Sequence, residues 1–115
     1  MRIVTADDPI SIDELRRMAM ARMGDLVKGV VDLEQGRMIV DAELHSDQEA
    51  EFLARGSRQQ DLWGVNLYPD VPSDDWIEFD SMINLRPSFG NRSRGVDDAL
   101  IRERIAALVN RLVRR

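Results

Sequence analysis

Apolar and polar residues alternate along Trp76–Arg86 more regularly than anywhere else in the chain. An alternation of period two predicts a β-strand, because successive side chains of a strand point to opposite faces of the sheet. The apolar residues would then pack on a core, while the other face would display a polar set: Glu78, Asp80, Asn84 and Arg86. Two acids, an amide and a guanidinium on one strand face indicate a candidate site.

The hydrophobic pattern also predicts three helices, each with a start or stop signal beside it. They are expected at Ile12–Met23, from Ser46 to Gly56, and from Asp97-Asp98 through Leu112. Ser11 precedes Glu14 by three residues, and Ser46 precedes Glu49 by the same interval. This is the spacing of a capping box, so the first two helices are expected to begin at those serines.

Runs rich in Val and Ile predict the other strands. A short strand is expected at the start of the chain and three longer ones follow: Arg2–Thr5, Leu26–Glu34, Arg37–Leu44 and Leu62–Tyr68. Gln35-Gly36 separates two of them and predicts a tight hairpin turn. In the strand after that turn, the alternation places Asp41 and Glu43 on the polar face, with His45 next on the same side.

The main elements follow one another in the order αββαββα. Consecutive strands joined by short turns favour an antiparallel sheet, which can bury one face and leave the other in water. We therefore expect an α+β fold in a single globular domain over residues 1–115, with short frayed ends. Its roughly four-stranded, mainly antiparallel sheet would carry the helices on one face and the polar set on the other.

Composition narrows the classes of protein and of site. The chain has 115 residues, 43% of them hydrophobic and 32% charged, which is typical of a soluble globular protein. No apolar run approaches the roughly 20 residues of a membrane span, and the amino end lacks a secretory pattern, so we expect a cytoplasmic protein without a membrane partner. With no cysteine and one histidine, structural zinc and disulfides are not expected.

The charge is distributed unevenly. Residues 1–85 hold 8 basic and 18 acidic side chains, whereas residues 86–115 hold 8 arginines and 3 acids. A basic carboxyl-terminal third favours a phosphate or another anion as ligand. Nucleic acid is disfavoured as a partner because the acidic remainder would flank the contact. Attraction between the two parts, or between two subunits of a homodimer, explains the same asymmetry.

The segment after Pro87 predicts an anion site. Its glycines and arginines lead into the last helix, and an arginine fork suits phosphate or carboxylate. The expected ligand contacts lie in and around it: Asn84, Arg86, Asn91, Arg92 and Arg94, with Trp63 and Tyr68 as aromatic walls. Asp97-Asp98 at the helix start would oppose an anion, so a structural loop whose arginines pair with the acidic face is an open alternative.

A metal site is the second hypothesis for the polar face. Glu43 and His45 on one strand, with Glu78 and Asp80 on another, would offer carboxylates and one imidazole to an ion. Oxygen-rich ligands favour Mg²⁺ or Mn²⁺ over Zn²⁺. Surface ion pairs between these acids and the arginines are the alternative, and such pairs contribute little stability each.

Five stretches carry a resemblance to a known family. They are Gly24–Lys28, Glu43–His45, the QDLWGVNLYP segment at Gln60–Pro69, the IEFDSMINLRP segment at Ile77–Pro87, and GNRSRG at Gly90–Gly95. Together they resemble a family of short prokaryotic proteins described as a domain of unknown function, over about Ile10–Leu112. The resemblance implies no activity, cofactor or catalytic residue. The arginine-rich tail departs from it.

Three functional hypotheses remain open at this level, and the catalytic residues, if any, are unknown. The first is a binding module for a small anionic or polar ligand or a protein partner. The second is a hydrolase or nuclease-like enzyme assisted by Mg²⁺ or Mn²⁺. The third is a homodimeric structural protein whose conspicuous motifs form the interface.

Overall fold

A computed structural model describes all residues from 1 to 115 and contains three α-helices and seven strands. In chain order they are β1 (Arg2–Val4), β2 (Ile10–Ser11), α1 (Ile12–Arg22), β3 (Val27–Asp32), β4 (Arg37–Val40), α2 (His45–Ala54), β5 (Leu62–Leu67), β6 (Ile77–Glu78), α3 (Ala99–Leu112) and β7 (Val113–Arg114). Four 3₁₀ turns lie at Gln59–Asp61, Asp74–Trp76, Met82–Asn84 and Pro87–Phe89. The predicted α+β class is confirmed.

Five strands form one antiparallel sheet in the order β1-β4-β3-β5-β6. The opening strand, β1, joins it as an edge strand, which makes five strands rather than about four. β3 lies at the centre and pairs with β5 over six residues, from Val27↔Leu67 to Asp32↔Leu62. β2 and β7 form a separate parallel pair that brings the two ends of the chain together.

Helices cover both faces of the sheet, not one face as expected. The larger hydrophobic cluster contains side chains of α1 and α3, whereas the smaller cluster joins Phe52 of α2 to Val30, Ile39 and Leu62. Neighbouring residues of β3 and β4 belong to different clusters, so the clusters lie on opposite faces. Every residue of β5 is buried, and a strand buried on both faces has no polar side to display.

The start of α1 confirms the capping box at Ser11. The Ser11 hydroxyl accepts a hydrogen bond from Glu14 N at 3.0 Å, and the Glu14 carboxylate accepts one from Ser11 N at 2.9 Å. The helix ends at Arg22, one residue earlier than predicted, and Gly24 follows with a φ of 97°. Local hydrogen bonding thus sets this boundary as the sequence predicts.

The start of α2 differs from the prediction. The helix begins at His45, and the capping position is Leu44, whose side chain offers no acceptor. Ser46 therefore lies inside the first turn and does not cap the helix. Asp41, with a φ of 70°, ends β4 at Val40 and turns the chain into α2. Glu43 and His45 consequently do not lie on the strand that the alternation predicts.

The hairpin between β3 and β4 is longer than the two-residue turn expected at Gln35-Gly36. Asp32 pairs with Arg37, so four residues, 33–36, form the loop. The buried Asp32 carboxylate accepts hydrogen bonds from Glu34 N and Gln35 N at 3.1 and 3.0 Å. The Asp32 side chain thus satisfies loop N–H groups and stabilises the turn.

The prediction of a long strand at Trp76–Arg86 is wrong. β6 contains only Ile77–Glu78, because it pairs with β5 solely at Asn66↔Glu78 and Leu67↔Ile77. Beyond it, the Ser81 hydroxyl accepts a hydrogen bond from Ile83 N at 3.3 Å and starts the turn Met82–Asn84. The segment after β6 still runs along the edge of β5. There, the side chains of Asn84 and Arg86 hydrogen-bond to the β5 backbone in place of strand pairing.

Candidate functional site

Asn84 completes the sheet edge that β6 leaves open. Its side-chain amide accepts a hydrogen bond from Gly64 N at 2.8 Å and donates one to Gly64 O at 3.0 Å, so it pairs with β5 as a strand residue would. It also donates to Arg94 O at 3.0 Å. The side chain is fully buried. The expectation that Asn84 faces solvent is therefore wrong.

Arg86 is likewise buried, with only 8% of its surface exposed. Its guanidinium donates to Leu62 O at 2.9 Å and to Gln59 O, and it lies 4.4 Å above the centre of the Trp63 ring. Burial lowers the pKa of Arg86, and the nearby Glu49 partly opposes that effect. The guanidinium thus holds the start of β5, and the prediction that it is displayed on a solvent-facing strand is wrong.

Asn91 organises the loop that precedes α3. Its amide nitrogen lies within hydrogen-bond distance of the carbonyl oxygens of Asn84, Ser93 and Gly95, at 2.7, 3.1 and 2.8 Å. Its amide oxygen accepts from Asp97 N at 2.9 Å. Only 4% of Asn91 is exposed. Asn91 therefore holds the backbone of this loop, and of the arginine–acid pairs that the structural-loop alternative requires, Arg94 with Asp80 is present.

Trp63 and Tyr68 do not face a common pocket. Trp63 is 7% exposed, belongs to the larger core cluster and packs beneath Arg86. The Tyr68 hydroxyl donates to Glu78 Oε1 at 3.2 Å. Burial and the negative charge of Glu78 raise the pKa of Tyr68. Each aromatic residue therefore serves a different local contact.

The four candidate metal ligands are not brought together, and no group of three or more His, Asp or Glu side chains is arranged to hold an ion. Glu43 lies 3.8 Å from Arg22, and Glu78 accepts from Asn66 Nδ2 at 2.8 Å. Two strands, β3 and β5, separate β4 from β6 in the sheet, and β4 ends at Val40, so Glu43 and Glu78 do not meet. The donor set required by the Mg²⁺ or Mn²⁺ hypothesis is thus dispersed.

Two of those candidates, His45 and Asp80, lie beside a different feature, a cleft of about 270 Å³ at the amino end of α2. We call it the α2 cleft. It is lined by residues from β3, the start of α2, the turn after β6 and the loop before α3: Lys28, Leu44, His45, Ser46, Ser81, Met82, Ile83 and Arg94.

His45 is the most buried ionisable side chain of the α2 cleft, with 7% of its surface exposed. Its Nε2 lies 2.8 Å from Val65 O, and because a carbonyl only accepts, Nε2 carries the hydrogen. Nδ1 has no hydrogen-bond partner in the chain and is not sealed from solvent. The pKa of His45 is lowered, chiefly by burial and further by Lys28 and Arg94. Neutral imidazole thus offers a free acceptor in the cleft.

Positive charge surrounds that imidazole. Lys28, the only lysine of the chain, is half-buried and forms no ion pair. Arg94 donates from Nε to Asp80 Oδ1 at 2.8 Å, which leaves its two Nη groups without partners in the chain. The first turn of α2 adds the backbone N–H groups of His45 and Ser46, which no side chain caps, whereas Asp47 N donates to Leu44 O at 3.2 Å. The cleft therefore combines three kinds of donor for an anion.

Arg92, another predicted contact, lies outside this cleft. Its side chain is exposed, and its backbone N donates to Asp97 Oδ2 at 2.7 Å. Of the seven residues predicted to contact a ligand, only Arg94 lines the α2 cleft. Lys28 and Ser81 line it and were missed by the sequence reasoning. The available signal was Lys28 itself, the only lysine of the chain, within the apolar run Leu26–Val31.

Two other surface depressions have different characters. One, of about 420 Å³, is lined by the exposed Phe89 and by three of the predicted ligand contacts, Trp63, Arg86 and Asn91. The other is bordered by the acidic residues Asp41, Glu43, Asp47 and Glu51. The second places Asp47 away from the α2 cleft, although it belongs to the same helical turn. The homodimer hypothesis stays a prediction.

None of the three helices is both long and apolar enough to span a bilayer. No curated protein and no solved structure matches the chain. Residues 3–112 match the family described as "Protein of unknown function (DUF5674)". The match spans nearly the whole chain, and this protein is therefore a member of the DUF5674 family.

Proposed function

We propose that the protein is a binding module for a small anion, with a phosphate or carboxylate group held in the α2 cleft. One observation carries this proposal: the amino end of α2, which no side chain caps, shares a cleft with the cationic side chains of Lys28 and Arg94. The predicted class of ligand is retained, whereas most of the predicted contacts are replaced.

Helix geometry supplies the first part of the argument. The first N–H groups of an α-helix have no partner within the helix, and the helix dipole places partial positive charge there. Ser11 and Asp98 provide side-chain acceptors at the starts of α1 and α3, but Leu44 provides none at α2. An anion bound at this end would satisfy donors that the chain itself leaves open.

Side-chain charge supplies the second part. Lys28 has no competing carboxylate, and Arg94 shares only its Nε with Asp80. Two cations against one acid give the cleft a local positive charge, even though the whole chain carries −5. Arginine and lysine are the residues that most often hold phosphate and carboxylate groups.

His45 supplies a group that responds to the ligand. An anion beside the ring would stabilise the imidazolium and raise the pKa of His45, against the lowering caused by burial. A cleft of about 270 Å³ is near the lower end of the range for small-molecule sites, roughly 300–1,000 Å³. The ligand is therefore expected to be a small molecule and not a polymer.

The test is an NMR titration of the ring signals of His45 with inorganic phosphate at constant ionic strength. The chain has one histidine, so the assignment is unambiguous. We expect saturable shifts and a rise in the His45 pKa. Lys28→Gln and Arg94→Gln should each weaken binding by about five- to tenfold, which corresponds to about 1–1.4 kcal/mol for one charge-assisted contact.

Arg92→Gln is the matched control, because it removes the same charge from an exposed residue of the same loop outside the cleft. Its affinity for phosphate should equal that of the wild type. Equal weakening by all three substitutions would reduce the effect to overall charge and contradict the proposal. Absence of any saturable shift, with phosphate, acetate or citrate as the probe, would contradict it as well.

A further inference from the structure

We infer that the anion held in the α2 cleft carries an alkyl or acyl chain, and this inference rests on the proposed function. Two apolar side chains line the cleft and yet remain largely exposed, Leu44 at 55% and Met82 at 60%. The partly buried Ile83 lines it beside them. The cleft is therefore amphipathic, with cationic donors and an apolar wall.

Leu44 is informative because an apolar residue is unusual at the capping position of a helix. It occupies the capping position of α2, where Ser, Thr, Asp or Asn would satisfy the first N–H groups. The leucine side chain leaves the N–H groups of His45 and Ser46 without an acceptor and adds an apolar surface next to them. A ligand with a charged head and an apolar tail would use both properties of the same residue.

Met82 also lines the cleft, directly after the buried Ser81. Single exposed apolar residues are common on protein surfaces and carry no argument alone. Here two of them line one cleft together with Lys28 and His45. Methionine is flexible and polarisable, so it adapts to an aliphatic chain whose exact shape varies.

The charge of the cleft selects among apolar occupants. Lys28, Arg94 and the start of α2 would repel an alkylammonium group and attract a phosphate or carboxylate. The concave shape and the small volume fit one alkyl chain, and the ligand is a freely dissolved molecule. Phosphate-bearing lipids in a bilayer share the same chemistry and are distinguished below.

The experiment measures the affinity of the full chain for inorganic phosphate and for ethyl, butyl and hexyl phosphate by calorimetry or NMR. A fully buried methylene tightens binding about fourfold and a half-buried one about twofold. From ethyl to hexyl phosphate we therefore expect affinity to rise on the order of tenfold. Hexylammonium at the same concentrations should not bind.

Met82→Gln and Leu44→Ala should each reduce the gain from chain lengthening, measured within each variant as the ratio of hexyl to ethyl phosphate affinity, so that any change in binding of the phosphate group itself cancels. Alanine, like leucine, offers no acceptor to the first N–H groups of α2. Met20→Gln is the matched control, because Met20 is 80% exposed on α1 and lines no cleft. It should retain the full gain. Thermal unfolding of each variant identifies any loss of folding, and retained phosphate affinity shows an intact cleft.

The two levels of proposal fail separately. If none of inorganic phosphate, acetate and citrate binds, the proposed function fails. If one of them binds but affinity is independent of chain length, or if the gain survives in both cleft variants, only the inference about the chain is overturned. Sedimentation with phosphatidylcholine vesicles containing phosphatidic acid, without binding of hexyl phosphate, would overturn the assignment of a freely dissolved ligand.

Discussion

The side chain of Asn84 pairs with the peptide group of Gly64 through two hydrogen bonds, as a neighbouring strand would. This pairing occurs where β6 no longer accompanies β5, so a side chain satisfies backbone groups that would otherwise be buried without partners. The segment from Ser81 to Gly95 is therefore an edge cover for the sheet. Covered edges do not pair with other chains.

Replacing Asn84 by Ala should destabilise the protein by about 2–4 kcal/mol, because it leaves the buried Gly64 N–H and carbonyl unsatisfied. Asn84→Asp should cost at least as much, since it buries a carboxylate and removes the donor. Urea unfolding measures both. Ser88→Ala, in an exposed part of the same segment, is the control and should change stability by less than about 0.5 kcal/mol. Similar values for the three variants would refute the edge-cover role.

Position 64 requires glycine because Ser81 lies too close to leave room for a Cβ atom. A Cβ built at Gly64 would lie 2.5 Å from Ser81 Cβ and 2.6 Å from its Oγ. Gly64→Ala should therefore cost about 1–3 kcal/mol through overpacking. Ser81→Gly in the same chain should recover part of that loss, as a double-mutant cycle of unfolding free energies would show.

Gly29 offers a matched control for that cycle. It lies on β3 directly opposite Val65 of β5, but a Cβ at Gly29 meets its nearest atoms at 3.5 Å, an ordinary contact distance. Gly29→Ala should change stability by less than about 1 kcal/mol. An equal loss at both glycines would show that backbone freedom, and not the contact with Ser81, sets the requirement.

The elements that the sequence predicted well are those fixed by local interactions. The Ser11 capping box, the strand at Leu62–Leu67 and the last helix depend on contacts a few residues apart or on a strong hydrophobic pattern. The class of fold follows from their order. Periodicity carries this information because it is a property of neighbouring residues.

The failures share one physical cause, which is tertiary contact. Residues 79–86 alternate as a strand does, but Asn84 and Arg86 point inward because β5 offers unpaired backbone groups there. No pattern within the segment reveals that acceptor. Likewise the α2 cleft joins Lys28, His45 and Arg94 from distant parts of the chain, and only the packing of α2 on the sheet brings them together.

Arg86 provides a test of geometry against charge. Its fork donates to Gln59 O and Leu62 O and stacks on Trp63, which a lysine cannot reproduce. Arg86→Lys should therefore cost about 1–3 kcal/mol in unfolding free energy, although the charge is retained. Arg92→Lys at an exposed position should be neutral within about 0.5 kcal/mol. If the two substitutions were equivalent, Arg86 would act only through its charge.

The protein should lose stability as the pH falls below 6.5, the ordinary pKa of histidine, because of His45. Burial, Lys28 and Arg94 lower the folded-state pKa of this residue, while Asp80 and the Val65 carbonyl oppose them less strongly. The unfolded state therefore binds the proton first, and the native state is disfavoured between 6.5 and the lower folded-state pKa.

His45→Gln keeps a donor near the position of Nε2 but does not titrate. The difference in urea-unfolding free energy between wild type and His45→Gln, measured in a phosphate-free buffer, should shift against the wild type as the pH is lowered through this range. A difference that stays constant with pH would contradict a lowered pKa, whereas phosphate added to the wild type should raise the His45 pKa and reduce the pH dependence.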